Sequence, residues 1–170
     1  MKTAQQWFDD YGASHQHPAN KLIHWVCVPS IVFSTVALLA SLPNGILCAL
    51  VPPWAAEWAH WGAVAVLVSL VFYFRLSKTI GLGMLVVAAL ILWGVDGLAR
   101  WEAVGGPATW LVSVVVWGVA WMLQIVGHVL EGQRPSFFED LQFLLVGPAW
   151  LLQSLYRRAG IPVQASPHSH

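Results

Sequence analysis

Charge is what this sequence has least of. Only 9% of its 170 residues are Asp, Glu, Lys or Arg, eight of each sign, and the formal net charge is zero. A soluble domain carries about 25% charged residues. A short chain that is 58% hydrophobic and holds 11 Trp has too little polar surface to wet a globule. That excludes a water-soluble domain and a disordered chain, and no basic stripe exists for binding nucleic acid. Cysteine is scarce as well. Cys27 lies inside an apolar run and Cys48 beyond its far end, so the two are not expected to pair and no disulfide framework is implied. The front of the chain has no apolar core of a cleavable signal peptide. No Gly-x-Ser-x-Gly elbow, no phosphate-cradling glycine loop and no internal repeat occurs. An integral membrane protein remains.

Apolar runs are what it has instead. Leu22–Leu42, Trp58–Leu76, Ile80–Ala99 and Trp110–Leu130 are each about long enough, at ~1.5 Å per residue, for a ~30 Å hydrocarbon core. Trp58, Trp61, Trp93, Trp101 and Trp110 fall near run ends, as an aromatic belt requires. A further stretch, residues 141–156, has its apolar part in Leu141–Leu152 and contains Gly147-Pro148, which predicts a half-helix or a kinked fifth helix. Trp7, Phe8 and Tyr11 share one side of a short N-terminal helix expected to lie on the membrane. The expected fold is all-α: four membrane spans, a short fifth helix and an interfacial first helix. Residues 1–159 form one membrane domain, with a flexible tail at 160–170. Asn20 is the expected cap of the first span. Gly81, Gly83, Gly94 and Gly97 would permit close helix packing, and Asp96 and Arg100 should pair at i, i+4.

With the N-terminus inside, Lys2, Lys21, Arg75, Lys78 and Arg134 share the inner side, and only Arg100 falls outside. The excess of positive loops therefore favours a cytoplasmic N-terminus. On that topology His24, in the first turn of span one, and His128, ~27 Å along span four, meet at the inner face. His15 lies in the pre-membrane segment on the same side, and Glu131 shares a helical face with His128. Interfacial His and Glu ordinarily snorkel toward head groups. Several converging from distant parts of the chain point instead to metal ligands. Neutral imidazoles suit iron, zinc or copper, and three of them leave positions open for substrate. His60 lies across the membrane and is left out. Pro18 puts His17 in an extended stretch of unspecified direction.

Two stretches carry a family likeness. The first is Tyr11-x3-His15-x2-Pro18-x-Asn20-x3-His24-x4-Pro29. The second is Gln124-Ile-Val-Gly127-His128-x2-Glu131-x3-Pro135, followed by Asp140-Leu-x-Phe-Leu-Leu-x-Gly-Pro. Over about residues 7–156 the chain resembles a membrane family, once catalogued only as a domain of unknown function, whose characterised member is a yeast endoplasmic-reticulum dioxygenase acting on 2-hydroxy fatty acids. The resemblance implies Fe(II)-dependent α-oxidation with O2, giving CO2 and a fatty acid one carbon shorter. It implies His15, His24 and His128 as the metal-binding and catalytic histidines. His17 stands where the yeast enzyme has Asn, which counts against it as a ligand. The His128–Glu131 spacing is one residue shorter than in the yeast form, which counts against Glu131 and points to the bacterial branch. A bacterial cytoplasmic membrane is then expected, or the endoplasmic reticulum in a eukaryote. Asn20, Gln124 or Arg134 would hold the substrate carboxylate, Arg by bidentate pairing. A zinc-dependent hydrolase acting on sphingolipid-like substrates and a non-enzymatic lipid-binding protein are the alternatives. Oligomeric state is not legible.

Overall fold

The computed structural model describes residues 4–13, 15–132 and 144–163, and all regular structure among them is helical. Helices α1 (Ala4–Ala13), α2 (Pro18–Ala40), α3 (Gly45–Ala49), α4 (Trp61–Leu76), α5 (Lys78–Ala103), α6 (Thr109–Glu131) and α7 (Val146–Arg158) follow in chain order. A 3-10 turn, Pro53–Trp58, precedes α4. Three helices, α2, α5 and α6, are long and apolar enough to cross a membrane.

The expected second span is shorter than its apolar run. Pro53 starts the 3-10 turn, and His60 is extended (φ −132°, ψ 158°), its Nδ1 accepting from the Ala63 amide at 3.1 Å. The helix therefore begins only at Trp61, and its 16 residues reach ~24 Å, short of a full hydrocarbon core. The start of α2 is also corrected. It begins at Pro18, whose fixed φ suits a first helical position, with His17 as the cap through Nδ1 to the Ala19 amide (3.2 Å). Asn20 therefore lies inside the first turn rather than capping it.

Helices α2 and α6 pack antiparallel along most of their length, joined by Cys27, Ile31, Ala120 and Trp121. With no water to drive apolar association inside a bilayer, such contacts depend on close packing and hydrogen bonds. Small residues provide the approach. A Cβ on Gly127 would run into Asn20 Oδ1, one on Gly94 would lie 2.9 Å from the Phe33 ring, and one on Gly81 2.5 Å from Phe74. Gly83 packs beneath Tyr156 and Leu152 of α7, whereas Gly97 faces open space. The α4–α5 hairpin turns at Ser77, and α4 runs from the level of Val36 to that of Ile80.

Helix α1 packs its apolar side on the bundle. Phe8 and Tyr11 are buried against Tyr73, Ile80, Met84 and Ala149, with Trp7 packed beside them. Helix α7 lies against α1, the start of α5 and the start of α2, with the Tyr156 hydroxyl donating to the Thr79 carbonyl and Arg158 over the Trp25 ring. These two short helices close one end of the bundle. Of the expected fifth stretch, residues 141–143 lie outside the described residues, as does the tail from 164 to 170. Arg100 Nε meets Asp96 Oδ2 at 2.8 Å near the other end. Trp54, Trp58, Trp61, Trp93, Trp101 and Trp110 are exposed there, and the outer faces of α4, α5 and α6 are paved with exposed Leu, Val and Met. Exposed apolar surface on that extent is what a membrane solvates.

Candidate metal centre

Helices α1, α2 and α6 bring three histidines to the closed end. His15 follows α1, His24 lies two turns into α2, and His128 lies in the last turn of α6. They are 2%, 1% and 6% exposed, and one ligand atom from each lies within 4.8 Å of the other two. Ring centroids are 4.2 Å apart for His15 and His24, 5.3 Å for His24 and His128, and 5.6 Å for His15 and His128. All three rings cross at steep angles, 66° to 85°, so they converge edge to face rather than stacking.

Helical geometry fixes two of the rings. His15 Nδ1 donates to the Tyr11 carbonyl at 2.7 Å, and His24 Nδ1 donates to the Asn20 carbonyl at 3.0 Å. A carbonyl oxygen only accepts, so Nδ1 carries the proton and Nε2 is the nitrogen that offers a lone pair. Metal-binding histidines are commonly oriented in this way. The Tyr11 ring stacks on His15 at 4.2 Å and 16°, with Trp150 behind it at 5.3 Å. Three buried imidazoles, two of them held in one tautomer, make a donor set that fits a divalent transition metal.

The remaining expected site residues have other positions. Glu131 is not among the clustered ligand atoms. Its Oε1 accepts from the Gln16 amide (2.7 Å), and Oε2 accepts from the His17 amide (2.8 Å) and Asn20 Nδ2 (3.0 Å). The carboxylate ties the end of α6 to the start of α2, and the ligand group holds the histidines alone. Asn20, fully buried, spends its amide on that tie. His17 is exposed and occupied as the helix cap. Gln124 is buried one turn below His128 and lines a small cavity of about 20 Å³ with Tyr11, Val28, Ile31 and Trp121. Arg134 lies outside the described residues.

Sequence reasoning passed over two cations. An open cleft of about 300 Å³ reaches His15 from the side of α1 and α7, and its walls include Lys21 and Arg157. Lys21 immediately follows Asn20 and was counted only for topology. Arg157 lies 142 positions after His15, and only the docking of α7 brings it near.

The family described as 2-hydroxy-palmitic acid dioxygenase Mpo1-like matches residues 1–159, which include all three histidines. No curated protein and no solved structure matches the chain.

Proposed function

The chain belongs to the Mpo1-like 2-hydroxy-palmitic acid dioxygenase family, and on that premise we propose that it is an Fe(II)-dependent dioxygenase that shortens 2-hydroxy fatty acids by one carbon. The observation that carries this reading is the trio of buried histidines from three helices, with ligand atoms within 4.8 Å of one another. His15, His24 and His128 would hold the metal, and a ferrous ion there supplies the capacity to use O2. The balanced reaction is R–CHOH–COOH plus O2 giving R–COOH, CO2 and water, with no external reductant.

The chain's own residues do the rest. The Tyr11 and Asn20 carbonyls hold two imidazole rings in one tautomer and orientation. The Tyr11 ring covers one face of His15, with Trp150 beside it. Lys21 and Arg157 draw a carboxylate into the cleft, and Gln124 is the buried amide beneath His128 that can meet the hydroxyl or carboxylate. Glu131 and Asn20 act as positioning residues by holding α2 to α6. In this reading α4 completes a fourth crossing by way of its exposed apolar face and a locally thinned bilayer. The histidine end faces the cytoplasm of a bacterial cell, because Lys21, Arg75, Lys78, Arg157 and Arg158 gather there, opposite Arg100.

The test is to purify the protein without oxygen, load Fe(II), and supply 2-hydroxypalmitate and O2. The proposal predicts a one-carbon-shorter acid and CO2 in equal amounts. Zinc in stoichiometric amount, with no O2 uptake, would overturn it in favour of a hydrolase.

A further inference from the structure

Beyond the histidines, two further cavities lie at increasing depth along the bundle. Val28 lies one turn deeper on α2 than His24, and Gln124 one turn deeper on α6 than His128; both line the small cavity described above. Leu144 lines that cavity and also borders a larger chamber of about 270 Å³. The chamber lies between α2, α4 and α5, with Val32, Thr35 and Leu39 along α2, Ala65 and Ser69 on α4, and Ala88 on α5. From His24 to Leu39 is fifteen residues of one helix, about 22 Å. The Ser69 hydroxyl on the chamber wall is spent on the Ala65 carbonyl at 2.8 Å, and Thr35 and Tyr73 are the other polar side chains there. Polarity therefore falls steadily from Lys21 and Arg157, through the imidazoles and Gln124, to an apolar chamber.

We propose that this chamber is the acyl-chain site, so that the depth of the α2–α4–α5 chamber sets the chain length of the substrate. The inference rests on the 2-hydroxy acid reading above and adds a location and a length limit to it. A carboxylate held at the histidines can send its chain past Leu144, the residue that the small cavity and the chamber share. Ala65 and Thr35, both half-buried on the wall, are the positions at which added bulk shortens the chamber.

Two measurements test this separately from the chemistry. In the first, Ala65→Phe and Thr35→Leu are assayed on 2-hydroxy acids of graded length. Each should move the optimum to shorter chains and lower kcat/KM for 2-hydroxypalmitate about fourfold for every methylene displaced, while short acids and iron content are unaffected. An unchanged length profile in both variants, with activity intact, would overturn the chamber and leave the reaction standing. In the second, a 2-hydroxy fatty acid with a terminal diazirine is irradiated with wild-type protein in vesicles, which requires no turnover. Cross-links at Thr35, Leu39, Ala65 or Ala88 support the chamber, even if no shortened acid is ever made. Cross-links confined to lipid-facing residues such as Leu67 and Val86, or equal labelling of the chamber by a diazirine phospholipid, would overturn it.

Discussion

His24 and Glu131 are both polar groups near one end of an apolar bundle, yet their surroundings assign them opposite work. His24 is buried with Nδ1 tied down by the Asn20 carbonyl, while the Glu131 carboxylate is taken up by two amides and the Asn20 side chain. If Glu131 holds helices together rather than metal, Glu131→Ala should lower stability by about 1–3 kcal/mol and leave one metal per chain. Thermal unfolding in detergent beside metal analysis checks both halves; loss of metal without loss of stability would contradict it. His17→Ala should likewise retain metal, losing only a helix cap worth about 1 kcal/mol. Arg157→Ala should raise KM for a 2-hydroxy acid severalfold with kcat and metal content little changed, because the charge acts at the cleft mouth. An unaltered KM would remove Arg157 from the site. His15, His24 and His128 were legible as a group because topology alone put them at one end. The direction of the Glu131 side chain was not, since helical spacing gives a face and says nothing of the partner waiting there.

Among the helices, the α2–α6 pair positions the centre. Gly127 lets Asn20 reach Glu131 across the seam, and no larger residue fits against Asn20 Oδ1. Gly127→Ala should therefore destabilise the protein by about 1–3 kcal/mol through overpacking, whereas Gly97→Ala, facing open space, should change little. Parallel melting curves of the two variants decide it, and equal effects would contradict the packing account. The long apolar runs announced α2, α5 and α6 within a few residues. Hydropathy could not show that Pro53 and an extended His60 shorten α4, because a 3-10 turn and a helix are equally apolar in sequence. It also could not show which parts of the protein α1 packs against. An amphipathic helix has an apolar face in any setting, and Phe8 and Tyr11 are buried because α4, α5 and α7 are there to meet them.

Taken together, the chain gathers its three buried histidines at one end and presents exposed apolar helix faces along the rest of the bundle. Arg100 apart, the described cations lie with the histidines, which predicts that this end is cytoplasmic. In a background with Cys48→Ser, a membrane-impermeant maleimide should label Trp54→Cys from outside intact cells and Gln16→Cys only after lysis; the reverse pattern would invert the topology. The short helices α1 and α7 close one end of the bundle, and an open cleft between them reaches His15. The central claim, that three buried imidazoles hold one iron, is tested most directly by metal stoichiometry. Wild-type protein loaded anaerobically should carry one iron per chain, and folded His24→Ala and His128→Ala should each carry almost none. Iron content unchanged in both variants would contradict the account.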